Sequence, residues 1–223
     1  MNLQDSVTLV SREFCYFHDI AFYVLITVSL LVARLLGFLW VNYDYRTTYL
    51  ENKGLEIIWT LIPAFVLILL AIPSLKLLFF LETPTNMLPF NRVKVIGHQW
   101  YWSYNYNFGG TTIDVDRYMV GESDLPKGEF RLLEVDVPTP INSLAYTRIV
   151  TTSADVIHSF AVPALGVKLD AVPGRLNQQF ILPNRLGLFY GQCSEICGAN
   201  HSFMPIRVEV LPVGLNPSTE NEN

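Results

Sequence analysis

Cysteine is scarce: the 223-residue chain has 3. That excludes a disulfide scaffold, which needs thiols in quantity. Charge is also sparse, at 16% of residues, and the 15 basic residues are outnumbered by 20 acids. No basic stripe is present, so nucleic acid is not an expected partner. No basic n-region leads the chain, and no small-residue cleavage site follows a short apolar core. A secretory signal is therefore not expected, although a membrane span can serve as its own signal. After residue 82 no long stretch has helical periodicity. What the chain has in excess is apolar residues, 51% of the total with a mean hydropathy of +0.31. That level suggests membrane segments.

Two runs supply them. Ile20 to Trp40 is nearly all apolar and long enough as a helix to cross roughly 30 Å of hydrocarbon. Arg34 inside it must face protein or snorkel to an interface. Ile57 to Leu75 is the second run, with Lys76 near its far end. Its Pro63 and Pro73 are compatible with a membrane span. Trp40 and Trp59 fall at segment edges, where interfacial aromatics belong. Between the runs, residues 41–56 form a polar connector, and residues 1–19 are polar and mixed. The pattern predicts a hairpin with both termini on one side. Basic residues near the spans do not decide which side.

Beyond a proline-bearing linker, Glu82 to Pro89, the character changes. Short runs bounded by glycine and proline predict strands at Arg92–Ile96, Phe130–Val137, Arg148–Thr152, Gln178–Leu182, Leu186–Tyr190 and Ile206–Leu211. An aromatic stretch from Gln99 to Phe108 suits a sandwich core plus an exposed face. Together these predict one β-sandwich or barrel with Greek-key wiring. The tail from Asn216 is polar.

One loop in that domain carries the chemistry. Cys193, Cys197, His201 and Met204 stand in the spacing Cys-x3-Cys-x3-His-x2-Met, and His158 lies upstream in Asp155-Val156-Ile157-His158-Ser159-Phe160. Thiolate, imidazole and thioether are soft ligands. Structural zinc is held by Cys and His and not by Met, so the mixture points to copper held for electron transfer. Two thiolates can bridge two metal ions, with His158, His201 and Met204 as terminal ligands. Charge shared over two metals and two sulfurs would keep the geometry nearly fixed on reduction. Other readings of the same residues stay open. Cys193 and Cys197 suit a disulfide, and a Cys2His zinc site is conceivable. Met204 and His158 suit a core. Gly191 and Gly198 would allow tight turns around the metals. Cys15 stands apart as a lone thiol.

The chain closely resembles subunit 2 of cytochrome c oxidase, most of all the mitochondrially encoded form. The resemblance runs from about Glu56 to Leu211. It is carried by Gly97-His98-Gln99-Trp100-Tyr101-Trp102-Ser103-Tyr104, by Ala161 through Lys168, by Asp170 through Asn177, and by Tyr190 through Pro205. It implies a two-helix transmembrane hairpin followed by a cupredoxin-like Greek-key β-barrel. The implied divisions are an N-terminal segment (1–19), spans at 20–40 and 57–81, a matrix-side connector (41–56), a copper domain (82–211) and a tail (212–223). It also implies two copper ions in a dinuclear centre, with Cys193 and Cys197 bridging, His158, His201 and Met204 terminal, and the Glu195 carbonyl as a further ligand. By the same resemblance the Glu195 carboxylate binds magnesium at the interface with the catalytic subunit. The resemblance further implies that Trp100 receives the electron from cytochrome c, that Asp136 and Asp155 lie near the docking surface, and that Glu56 stands at the mouth of a proton pathway. From the residues alone, Glu195 reads as a solvated loop acid and Glu56 as a helix-start acid. The implied partners are cytochrome c, the haem–copper catalytic subunit 1, other oxidase subunits and membrane lipid. The implied location is the mitochondrial inner membrane, with the copper domain in the intermembrane space. A membrane-anchored copper-delivery or assembly protein is the rival reading.

Overall fold

The computed structural model describes residues 3–42, 51–82, 91–108 and 111–213. The chain divides into two units, Glu13–Phe80 and a second made of Met1–Arg12 with Leu81–Asn223. The linker from Glu82 to Pro89 lies, but for Glu82, outside the described residues, as do the tail from Asn216 and the middle of the 41–56 connector.

Helix α1 runs Leu9–Val41 and α2 runs Lys53–Glu82. Both are long and apolar enough to cross a membrane, and their large side chains are mostly uncovered by protein. The helix α1 starts earlier than the apolar run predicts. Arg12, Glu13 and Asp19 argue against bilayer at those positions but not against helix, since all three are tolerated in one. Asn52 caps α2, its side-chain oxygen accepting the Leu55 N–H at 3.1 Å. Glu56 therefore sits exposed in the first turn, the favourable place for an acid. The helix continues through Pro63 and Pro73.

In the other unit ten strands form two five-stranded sheets. In chain order they are β1 Asn91–His98, β2 Tyr101–Phe108, β3 Thr111–Arg117, β4 Thr139–Asn142, β5 Thr147–Ser153, β6 His158–Val162, β7 Val167–Ala171, β8 Asn177–Ile181, β9 Gly187–Cys193 and β10 Pro205–Leu211. One sheet is ordered β3-β2-β1-β5-β8 and the other β4-β10-β9-β6-β7. Pairing is antiparallel except for β1 with β5 and β4 with β10. Strand alternation fills the space between the sheets. Val93 and Val95 of β1 point inward with Trp102, Tyr104 and Tyr106 of β2, and meet Phe160, Val162, Ile206, Val208 and Val210. Fully burying each such side chain contributes about 1.5–3 kcal/mol. The rings of Trp102 and Phe160 pack edge to face, centroids 5.5 Å apart.

Several expectations need correction. Phe130–Val137 is not a strand but a series of turns. Leu132 adopts a left-handed backbone (φ 66°), which an extended run does not allow. The segment buries Glu134, whose carboxylate meets Arg207 Nη1 at 2.8 Å and accepts the Tyr190 hydroxyl at 2.9 Å. Strands β3, β4, β6 and β7 escaped prediction. Every residue of β4 and β6 is buried, so neither shows the alternation by which a half-buried strand is recognised. Gly191 lies inside β9 and not in a turn; a Cβ there would collide with the Ala161 carbonyl oxygen of β6.

The N-terminal residues, polar and mixed in sequence, also have a structural part. Val7 is fully buried and donates its N–H to the Ala164 carbonyl at 2.9 Å. The Thr8 hydroxyl donates to the Leu165 carbonyl at 2.9 Å, and Asn184 N–H donates to the Val7 carbonyl at 2.9 Å. The segment before α1 is thus stitched to the short 3-10 turn Pro163–Leu165 of the same unit.

Candidate metal centre

Strand register brings the donor residues together. Cys193 ends β9 and pairs with Phe160 of β6, two residues after His158. The chain then leaves the sheet, makes a 3-10 turn at His201–Phe203, and re-enters as β10 at Pro205, opposite Gln192. Adjacent strands therefore hold both ends of the loop, and Met204 lies where it rejoins the sheet.

The donor atoms form a continuous chain. His158 Nδ1 is 4.0 Å from Cys193 Sγ, which is 3.9 Å from Cys197 Sγ. Cys197 Sγ is 3.6 Å from His201 Nδ1 and 3.5 Å from Met204 Sδ. The Glu195 carbonyl oxygen lies 3.3 Å from Cys193 Sγ. His158, Cys193, Cys197 and Met204 are buried and His201 half-buried. A disulfide needs sulfurs about 2.05 Å apart, so these cysteines are unbridged, as is Cys15. Of the residues proposed from sequence for the centre, all six are here, five by side chain and Glu195 by its carbonyl.

Electrostatics mark the pair as poised for a cation. Burial works against ionising Cys193, but interactions with His158, with the backbone at Ser159 and Glu195, and with His201 outweigh it and bring the thiol down to about 6. Burial and then the neighbouring charge of Cys193 push Cys197 up to about 12. Two thiolates at this distance repel in the absence of positive charge between them. Soft, buried, convergent donors of this kind fit copper, and the thioether fits neither magnesium nor calcium.

Surrounding residues set the donors in place. Asp155 Oδ1 accepts from His158 Nε2 at 2.8 Å. A carboxylate only accepts, so the proton is on Nε2 and Nδ1 faces the sulfur. Burial alone would raise the Asp155 carboxyl, but the bonds from His158, Gln99 N–H and Val156 N–H hold it below the usual range. Gly97 makes room for the imidazole: a Cβ there would lie 2.7 Å from His158 Cδ2. Trp102, fully buried, donates its indole N–H to the Met204 carbonyl at 3.2 Å. Gln99 and Trp102 were not singled out from sequence as site residues. Their roles arise from contacts between distant segments, and only the density of the Gly97–Tyr104 motif pointed toward them.

Trp100 lies in the turn between β1 and β2, against Gly198 of the donor loop. Gly198 has φ +127°, a conformation open to glycine, and a Cβ on it would stand 3.1 Å from Trp100 Cζ2. Trp100 lines an open depression with Tyr101, Tyr118 and Phe203 among others. Asp136 is exposed, its carboxylate accepting only the Val137 N–H among the described contacts. The Glu195 carboxylate is half-buried and accepts the Ile196 N–H at 3.2 Å. Glu56 lies in α2, in the other unit.

Fold and site together define a class: a membrane-anchored chain whose extramembrane β domain presents a buried, sulfur-bearing candidate copper site. Comparison narrows the class to a family. The family described as cytochrome c oxidase subunit II matches over both of its parts, the transmembrane domain at residues 1–77 and the periplasmic domain at residues 91–211. Cytochrome c oxidase subunit 2 of Metridium senile is 50% identical over 214 residues, covering 95% of this chain and 85% of that protein. The Drosophila melanogaster subunit 2 is 48% identical over 215 residues, covering 96% and 92% respectively. Among solved structures, the periplasmic domain of subunit II of cytochrome oxidase (CoxB) of Bradyrhizobium japonicum matches with TM-score 0.51 and 42% identity, over 57% of this chain and 88% of that one. The chain belongs to the cytochrome c oxidase subunit II family. It is accordingly a subunit of an oxidoreductase complex, with an electron-transfer role in a terminal oxidase, and a multi-pass membrane protein with an extracytoplasmic domain.

Proposed function

We propose that this chain accepts electrons from reduced cytochrome c at a dinuclear copper centre and passes them to haem in the catalytic subunit of the oxidase. The unbroken run of donor atoms from His158 Nδ1 through Cys193, Cys197 and His201 to Met204, at 3.5–4.0 Å steps, carries this reading. Cys193, Cys197, His158, His201 and Met204 would hold the metals by their side chains, and the Glu195 carbonyl would complete the set. Copper bound there supplies reversible one-electron chemistry. The protein's part is to hold the donors rigidly, so that little reorganises when charge changes. Buried His158 is fixed by Asp155, Met204 by Trp102, and Cys193 by the β6–β9 ladder.

Trp100 is the residue through which the electron arrives. It touches the donor loop at Gly198 on one side and lines an open depression on the other. Exposed Asp136 would favour a basic partner over that face; Asp155 has its carboxylate turned to His158 and Gln99 and contributes residual negative charge. The Glu195 carboxylate is the magnesium ligand offered to the catalytic subunit, and Glu56 marks a proton pathway at the start of α2. The two sheets are read as a closed cupredoxin-like Greek-key barrel. The chain sits in the mitochondrial inner membrane with this domain in the intermembrane space.

The deciding measurement is copper content and the EPR spectrum of the assembled protein. Two coppers per chain, with one unpaired electron shared between equivalent nuclei, is the expected result. One copper per chain, or none with a Cys193–Cys197 disulfide, would exclude the proposal.

A further inference from the structure

Cys197 lies four residues beyond the end of β9, and the permissive Gly198 follows it. No sheet ladder fixes its backbone, yet its sulfur contacts Cys193, His201 and Met204. Something outside the loop must hold it. Gln99 does so: its side-chain Nε2 donates to the Cys197 carbonyl at 2.8 Å, across 98 positions of sequence. The backbone N–H of the same Gln99 donates to Asp155 Oδ2 at 2.6 Å, and the other oxygen of Asp155 holds His158. Ser153 anchors the far side, its hydroxyl reaching the Gly97 carbonyl at 3.2 Å and Asp155 Oδ1 at 3.3 Å. A single residue in the β1–β2 turn thus ties the loop carrying Cys197 to the segment carrying His158.

We propose that Gln99 is a positioning residue for the donor set, a clasp that holds Cys197 at its distance from Cys193 and so keeps the metal-free pair as an open dithiol ready for copper. The inference rests on the copper reading above. The two sulfurs stand 3.9 Å apart, and a disulfide requires about 2.05 Å. The bond from Gln99 is made to the Cys197 backbone carbonyl, so any closure that shifts the Cys197 backbone toward Cys193 breaks it. The clasp therefore opposes disulfide formation by restraining the backbone that carries the Cys197 sulfur.

The test uses the full-length chain with Gln99→Leu, which removes the donor, and Gln99→Lys, which restores an N–H on a side chain of similar reach. Gln99 is exposed, so both variants should fold. In the copper-free chain, disulfide formation by oxidised glutathione is followed by thiol counting. Each disulfide formed takes two electrons from the two thiols and releases two molecules of reduced glutathione. Gln99→Leu should close the disulfide between about threefold and tenfold faster, the consequence of losing one hydrogen bond, and Gln99→Lys should fall back toward the parent rate. In the copper-loaded chain, Gln99→Leu should retain the parent copper content but show altered EPR hyperfine splitting, a readout that a small loss of stability alone would not move. Parent-like disulfide rate and parent-like hyperfine splitting in Gln99→Leu would overturn the clasp. A parent chain that does not hold two coppers would sink the dinuclear reading, while the disulfide rates in the copper-free chain would still decide the role of Gln99.

Discussion

The imidazole of His158 occupies the space that a side chain at Gly97 would fill: a Cβ built on Gly97 lies 2.7 Å from His158 Cδ2. Gly97 belongs to β1 and is paired with Trp102 of β2 and Ser153 of β5, so the backbone cannot retreat without disturbing two ladders. The ring is equally confined, with Asp155 on Nε2 and Cys193 facing Nδ1.

Gly97→Ala should therefore displace His158 rather than β1. Forcing a methyl group into such a packed position costs about 1–3 kcal/mol. The expected outcome is a lower thermal midpoint together with reduced copper retention during dialysis against a chelator. Unchanged copper retention would mean that the imidazole has room the structure does not show.

The bond from Trp102 to Met204 gives a second prediction. Trp102→Phe keeps most of the aromatic packing against Phe160 but removes the indole N–H. The Met204 carbonyl, in a residue only 1% exposed, is then left without its donor. An unsatisfied buried acceptor costs about 1–3 kcal/mol. Chemical denaturation should show that loss, and the visible spectrum of the loaded site should shift because Met204 moves.

Tyr190 predicts an alkaline limit. Burial first, and then the Glu134 carboxylate it donates to, push its hydroxyl up to about 12. The unfolded chain titrates a tyrosine near 10. A raised folded pKa means the contribution is fully present below about pH 10 and is lost as pH rises toward 12. Buried Tyr104 and Tyr106 are shifted in the same direction, mainly by burial, and share in this decline. Tyr190→Phe should flatten the loss of stability above pH 10 in part, measured as the denaturation midpoint against pH. An unchanged slope would show that the Tyr190 hydroxyl is not raised by its surroundings.

Replacing Trp100 by leucine separates electron arrival from metal binding. Trp100 supplies no donor atom to the site and covers Gly198 from outside. Copper content should be retained. Electron transfer from reduced cytochrome c in stopped flow should slow on the order of tenfold or more, equivalent to about 1.4 kcal/mol on the barrier. Parent-like transfer at full copper content would remove Trp100 from the route.

Residue chemistry and spacing alone determined the two apolar runs, the β character of the remainder, and the candidate donors Cys193, Cys197, His201, Met204 and His158. Apolar length, turn residues and ligand type are local properties, and they survive reading one residue after another. The tertiary structure decided what depends on register between distant strands. It turned Asp155 toward His158, set Trp102 beneath Met204, and joined Gln99 to Cys197 across 98 positions. It folded Phe130–Val137 into turns so that Glu134 could meet Arg207 and Tyr190, and it began α1 at Leu9, where the preceding residues are bonded to the Pro163–Leu165 turn. Hydrogen bonds of this kind exist only where the folded sheets bring distant segments side by side. Nothing in the neighbouring sequence of Gln99 or Glu134 announces their partners.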